Sequence, residues 1–340
     1  MKIDFRQGRV ELIHGSGGRA MAQLIDDLFV THLGNDFLAQ GNDGALLPAA
    51  PGRLVMTTDS HVVSPLFFPG GDIGSLAVHG TVNDLAVMGA RPLYLAAAFI
   101  LEEGFLLAEL ERIVRSMVAA AATAGVCVVT GDTKVVERGK GDGVFITTTG
   151  FGTVRDGVVL SGRNLRSGDR VLLSGTVGEH GLAILSQREG LAFDSPIVSD
   201  SAPLNRLVEA MLDCGAQLRV MRDPTRGGLA STLNELARQS SVGMCLDESA
   251  IPVCPEVAAA CEFLGLDPFH LANEGKLVAV CAARDAAHLV QVMRAHALGK
   301  SASIIGEVCE DPLCFVQMRT RLGGERILDW PSGDPLPRIC

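Results

Sequence analysis

The chain has 340 residues, of which 47% are hydrophobic and 4% aromatic, with a formal net charge of −10. That length predicts two domains, the apolar share excludes a disordered chain, and the acidic balance with few aromatics excludes nucleic acid as a partner. Nine cysteines, with no Cys-x-x-Cys pair, predict reduced thiols in the cytoplasm rather than a disulfide framework or a metal cage. Residues 1–25 carry Asp4, Arg6, Arg9, Glu11 and Arg19, which leaves no apolar signal core. The longest apolar stretches, near 92–101 and 117–130, are too short to span a bilayer, so no membrane partner is expected.

In chain order, a short strand over 10–13 feeds a glycine loop and a helix near Ala20. Strands follow at 53–58 and 92–101, each trailed by a long helix, 73–89 and 105–124. Strands at 126–131 and 143–151 close the first half. A polar passage with Gly150, Gly152, Gly157, Gly162 and Gly168 then holds the domain boundary. The second half predicts a strand at 170–174 and helices at 180–188, 202–213 and 227–239. It continues with strand 242–246, helix 255–264, strand 276–281, helix 284–297 and strands 302–308 and 313–318. The expected organisation is two α+β domains, 1–155 and 156–330, and an extended tail, 331–340, with three prolines and one glycine.

Four acids stand out. On a helix over 73–89, Ile73, Ala77, Gly80 and Asp84 share one stripe, where a carboxylate is either hydrogen-bonded structurally or offset by a cation. Asp59 and Asp132 end predicted strands, and Asp43 follows Asn42 in the turn Gly41-Asn42-Asp43-Gly44. Oxygen donors gathered at strand C-termini suit Mg²⁺; Ca²⁺ is the lesser alternative, since no twelve-residue loop of spaced acids occurs.

Two glycine loops each read as a plain turn or as a phosphate cradle at a helix start. One is His14-Gly15-Ser16-Gly17-Gly18-Arg19, which also fits G-x-G-x-x-A but lacks a following βαβ unit. The other is Asp223-Pro224-Thr225-Arg226-Gly227-Gly228. No Walker A loop is present, because Gly299-Lys300-Ser301 has Arg294 where the leading Gly belongs. Lys134, two residues past Asp132, is either a solvated lysine or a neutraliser of phosphate charge. Glu274 lies in the turn Asn273-Glu274-Gly275-Lys276 before an apolar strand.

The chain closes Pro335-Leu336-Pro337-Arg338-Ile339-Cys340. A thiol on a proline-stiffened tail is accessible, and ten extended residues reach about 30–35 Å. Gly333 offers a hinge, and Arg338 can set the register against an acidic wall or a phosphate.

These segments resemble the HypE family of hydrogenase-maturation carbamoyl dehydratases. That family lies in the superfamily of aminoimidazole ribonucleotide synthase and selenophosphate synthetase. The resemblance rests on His14 to Arg19, Phe67-Phe68-Pro69-Gly70-Gly71-Asp72-Ile73-Gly74, Val82-Asn83-Asp84-Leu85, Gly131-Asp132-Thr133-Lys134, Asp223 to Gly228, Ala272-Asn273-Glu274-Gly275 and the closing Pro-Arg-Ile-Cys, which singles the family out. It implies a two-domain PurM-like α+β architecture, with an N-terminal ATP-binding domain that dimerises through its sheet. It implies that a carbamoyltransferase, HypF, loads Cys340, that ATP drives dehydration to a thiocyanate, and that cyanide passes to iron on a HypC–HypD complex.

The implied nucleotide site comprises Gly15, Ser16, Gly17, Gly18, Asn42, Asp43, Asp59, Asn83, Asp84, Gly131, Asp132, Asp223, Arg226 and Gly227. Of these, Asp43, Asp59, Asp84 and Asp132 would hold Mg²⁺. Lys134 would neutralise phosphate and Glu274 would be the base. His61 departs from the aromatic expected there and is expected to touch none of these ligands. Two other readings compete: another ATP-using kinase or cyclo-ligase of the superfamily, and a scaffold that only carries a group on Cys340.

Overall fold

The computed structural model describes residues 3–191, 197–331 and 336–340. The predicted strand over 10–13 is absent: Leu12–Gly15 is a 3-10 turn, and only Arg9 bridges to Leu106. Helix α1 (Arg19–Leu24) passes through a π turn (Ile25–Val30) into α2 (Thr31–Leu33). Strand β1 (Arg53–His61) and the two-residue pair β2 (Phe67–Phe68) and β3 (Gly71–Asp72) lead to α3 (Ile73–Val87). Then come β4 (Ala90–Glu102), α4 (Leu107–Ala124), β5 (Cys127–Val136) and β6 (Val144–Val154). They form a four-stranded sheet in the order β1-β6-β4-β5, antiparallel except for the parallel pair β4 and β5.

Side chains alternate across this sheet. On β6, Val144, Ile146 and Thr148 are buried toward α3, while Phe145, Thr147 and Thr149 face the open side. The open side exposes Leu54, Met56 and Ile100. Helix α3 starts cleanly because the Asp72 side chain accepts from Gly74 N–H and Ser75 N–H. It is not amphipathic. All its residues except Ser75 and Asp84 are buried, so the one-sided stripe gives way to a helix enclosed on every side. It packs on the first sheet and α4, and also on α6 and β8 of the second domain.

The second domain holds β7 (Arg170–Leu173), α5 (Glu179–Glu189), α6 (Asn205–Asp213), β8 (Leu218–Arg222), α7 (Gly228–Ser240) and β9 (Gly243–Asp247). It continues with α8 (Pro255–Leu264), β10 (Val278–Cys281), α9 (Ala286–Ala295), β11 (Ser303–Cys309), β12 (Val316–Arg319) and β13 (Glu325–Ile327). Its seven-stranded sheet runs β13-β12-β9-β11-β7-β10-β8. Sequence patterning missed β8 and β13: both are short and carry arginines that break the apolar run. One apolar core joins the first sheet to Leu182, Ile184, Val257 and Leu271 of the second domain, and it takes in Leu336 and Ile339 of the tail.

Candidate active site at the domain joint

Asp59 and Asp132 do not end their strands. β1 stays paired with β6 as far as His61 opposite Ile146, and β5 stays paired with β4 as far as Val136 opposite Glu102. Asp59 lies opposite Thr148 and shares its α3-facing side, whereas Asp132 lies opposite Ala98 on the open side. The four expected metal acids therefore do not converge within the chain. The pair Lys134 Nζ to Asp132 Oδ2, at 2.5 Å, is exposed, and the ammonium holds the Asp132 carboxyl below its usual range. Asn42 and Asp43 sit in an exposed turn.

The loop with Gly15, Ser16, Gly17 and Gly18 is exposed except at Gly15 and abuts β5. A Cβ on Gly15 would lie 2.9 Å from Val135 Cβ, one residue past Lys134. One group is thus the first glycine loop, Asp132 and Lys134, with Gly131 close against Ala97 of β4.

The other group lies at the domain joint. Asp84 comes from α3, Asp223 from the end of β8, and Glu274 from the turn before β10. Pairing of β8 with β10 brings the last two elements side by side. Thr57 Oγ1 donates to Asp84 Oδ2 at 2.7 Å, yet burial and the Asp59 charge raise the Asp84 carboxyl above its ordinary range. Burial and the charges of Asp84 and Asp59 push Asp223 up to about 7. Glu274 is 3% exposed, and its Oε1 has no hydrogen-bond partner. Burial, then Asp223, Asp200, Asp59 and Asp84, raise its carboxyl well above the ordinary value.

Asp200, which the sequence reading missed, builds this turn. It accepts from Glu274 N–H and Gly275 N–H, each at 3.1 Å, and from Lys276 Nζ at 3.0 Å. Only glycine fits at 275, where a Cβ would stand 1.8 Å from the Asp200 carbonyl oxygen.

Asn83 is a joint. Its Nδ2 donates to the Ala202 and Glu274 carbonyls, each at 3.0 Å, and its Oδ1 accepts from Leu204 N–H at 2.7 Å. The buried amide is thus spent on backbone of the second domain. Gly227, at φ 77°, precedes α7, and Arg226 beside it points Nη2 at Cys340 Sγ, 3.5 Å away. His61 corrects an expectation: it is buried, and its Nε2 lies 3.3 Å from Asp59 Oδ2. Burial lowers its pKa, so the neutral ring can donate to that carboxylate.

The tail is docked along the turn after β1. Val62 N–H donates to the Cys340 carbonyl and Ser64 N–H to the Arg338 carbonyl, both at 3.1 Å. Arg338 Nε donates to the Val62 carbonyl at 3.0 Å, and its guanidinium pairs with Asp142, the acidic wall foreseen for it. His180 Nε2 lies 2.8 Å from the Ile339 carbonyl, and its Nδ1 lies 2.7 Å from Ser199 Oγ. Burial keeps this imidazole neutral. Its sequence signal was a lone ring ahead of the apolar run Gly181-Leu182-Ala183-Ile184-Leu185. Gly333 and Pro335 lie outside the described residues. Burial and the Glu274 charge push the Cys340 thiol up to about 12, against the opposing pull of Arg226.

The acids at the joint are hard oxygen donors, the type that suits magnesium. Asp59, Asp84 and Asp223 repel one another there and lack sufficient positive charge. Among the described residues no three His, Cys, Asp or Glu side chains are grouped closely enough to hold a metal ion by themselves.

Family models describe residues 41–154 as the N-terminal domain, and residues 166–319 as the C-terminal domain, of AIR synthase related proteins. The chain is 65% identical over 339 residues to the carbamoyl dehydratase HypE of Azotobacter vinelandii, covering 100% of this chain and 99% of that protein. A crystal structure of the hydrogenase maturation protein HypE in complex with ATP superposes with a TM-score of 0.94 at 50% identity, covering 97% of this chain and 99% of that one. A HypE–HypF complex superposes with a TM-score of 0.80 at 49% identity, covering 91% of this chain and 99% of that one. The chain has two PurM-like domains and belongs to the HypE family of carbamoyl dehydratases, enzymes of hydrogenase maturation.

Proposed function

We propose that the chain binds ATP and dehydrates an S-carbamoyl group carried on Cys340 to a thiocyanate. The observation that carries this reading is the seat of Cys340 Sγ at 3.5 Å from Arg226 Nη2 and within the influence of the buried Glu274 carboxyl, whose Oε1 has no hydrogen-bond partner. An amide oxygen leaves poorly, and transfer of the ATP γ-phosphoryl group to it makes it a phosphate leaving group. One amide hydrogen ends on phosphate and the other departs as a proton, so carbamoyl and ATP give thiocyanate, ADP, phosphate and a proton.

Such a transfer is a matter of position and charge. Arg226 holds the sulfur end. The backbone pairing of Arg338 and Cys340 with Val62 and Ser64 fixes the reach of the side chain. Glu274 accepts the amide proton, and its raised affinity for protons makes it a strong base whenever it is ionised. Asp59, Asp84 and Asp223 would hold Mg²⁺, which would supply the positive charge that lets clustered carboxylates and phosphates coexist.

Asp132 and Lys134 lie on the open sheet side, the loop around Gly15 packs on Val135 of the same strand, and Asn42 and Asp43 lie in an exposed turn. They serve the nucleotide of a neighbouring protomer in a homodimer joined through Leu54, Met56 and Ile100. HypF supplies the carbamoyl group, as a solved HypE–HypF complex supports, and the HypC–HypD iron complex receives the cyanide, in the cytoplasm.

The test is intact mass of the carbamoylated chain after incubation with ATP and magnesium. Loss of one water located on Cys340 is expected, and Cys340→Ala should form no product while still binding nucleotide. Unchanged mass with ATP consumed at the wild-type rate by Cys340→Ala would instead favour a kinase of the superfamily.

A further inference from the structure

Two thiols in the second domain have no part in the chemistry above. Cys245 on β9 is exposed, Cys309 on β11 is half-buried, and their sulfurs lie 3.2 Å apart. Cys245 stands opposite Glu307, and Cys309 stands opposite Gly243. The two cysteines are therefore diagonal neighbours on one face of an antiparallel pair. Two local choices bring the sulfurs together. A Cβ at position 243 would lie 3.1 Å from Cys309 Sγ, so the missing side chain leaves that sulfur room to lean across. Glu307, which would otherwise stand over Cys245, is drawn aside by its ion pair with Arg170. Cys245 opens on a cleft of about 440 Å³ that Arg170, Asp247 and Arg319 also line, so a small reagent can reach this sulfur.

We propose that Cys245 and Cys309 are a dithiol modification site, which low-molecular-weight disulfides oxidise to a cross-strand disulfide before they reach Cys340. Closing the bond needs the sulfurs to approach by only ~1.2 Å. The exposed Cys245 thiolate attacks oxidised glutathione, forming a mixed disulfide and releasing one glutathione thiolate. Cys309 then loses its proton to solvent and attacks the Cys245 sulfur, and the second glutathione thiolate leaves. Two protein thiols are oxidised and one glutathione disulfide is reduced.

Burial and the neighbouring Cys245 push Cys309 up to about 12, so it is a poor first nucleophile but is already placed to resolve. Cys340 is equally reluctant to ionise, is only partly exposed at the end of the docked tail and makes no described contact with another thiol.

The experiment treats the full chain with graded ratios of reduced to oxidised glutathione, quenches with an alkylating agent, and reads intact mass and peptide maps. Loss of two hydrogens, with the peptides bearing Cys245 and Cys309 joined, is expected at ratios where Cys340 is still fully alkylated after denaturation. Cys309→Ser should trap one glutathione on Cys245, Cys245→Ser should form no cross-link, and Cys340→Ala should oxidise as the wild type does. A stable glutathione adduct on Cys245 of the unmutated chain, no reaction at that pair, or modification of Cys340 first would each overturn the proposal.

Discussion

The two faces of the four-stranded sheet carry the same kind of residue in opposite circumstances. Asp59 and Asp132 sit in adjacent cross-strand rows, opposite Thr148 and Ala98, and differ by one step of strand parity. The inner acid joins Asp84, Asp223 and Glu274, whose carboxyls are all raised by burial and mutual repulsion. The outer one is exposed, paired with Lys134 and held low. The contrast teaches where the molecule stores unfavourable charge. The open face satisfies its acid within the chain, while the inner face leaves its acids wanting a cation and a proton partner, which is the condition for chemistry there.

The contrast can be broken in order of size. Glu274→Gln should lower dehydration by about 10²–10⁴-fold while the carbamoyl group accumulates on Cys340, followed by mass; an unchanged rate of dehydration in that variant would take the base away from the inner face. Next is a pH effect on stability. The folded state raises the Asp223 carboxyl from 3.8 to about 7, so the fold binds this proton more tightly than the unfolded chain does. Its contribution to stability is fully present below 3.8 and is lost as pH rises toward 7. Asp223→Asn should therefore raise the melting temperature above pH 7 by roughly 2–4 °C, a gain that vanishes near pH 4. A pH-independent difference, read by calorimetry without magnesium, would contradict this. The smallest effect belongs outside: Asp132→Ala should change folding stability by less than about 1 kcal/mol in denaturant titrations, because exposed ion pairs contribute little.

Most elements were legible because the apolar periods are strong; α8 and β7 begin where the pattern places them, at Pro255 and Arg170. The errors have specific causes. The strand expected to end at Asp132 continues to Val136, because glycine at 131 lets β5 pass close to the Ala97 carbonyl. Whether Asp59 and Asp132 share a face depends on the pairing register between their strands, which no single strand's pattern reports. Cys340, Glu274 and Asp223 were named from motif and resemblance, and the structure brings them together. His61 and Asp59 stand two residues apart on one side of β1, a contact that strand alternation does report. Asp200 and His180 find their partners only through folding, Glu274 at a separation of 74 residues and Ile339 at 159, where no local pattern reports them. The role of Asn83 was hidden for the same reason: its three bonds go to backbone of the other domain.

The pairing of Arg338 and Cys340 with Val62 and Ser64 also bears on kinetics. On the proposed chemistry, the reacting group reaches the pocket on its own polypeptide and never as a solute. Its supply is then an effective molarity fixed by the tether, not a bulk concentration. A single-turnover experiment on loaded protein would show a first-order rate that does not change on dilution, and no Michaelis constant could be defined for the carbamoyl group. The quantity under selection is instead the fraction of time the tail spends bonded to residues 62–64. That fraction rests on main-chain hydrogen bonds together with the burial of Leu336 and Ile339 and the side-chain bonds of Arg338, so substitutions at those three positions would lower it.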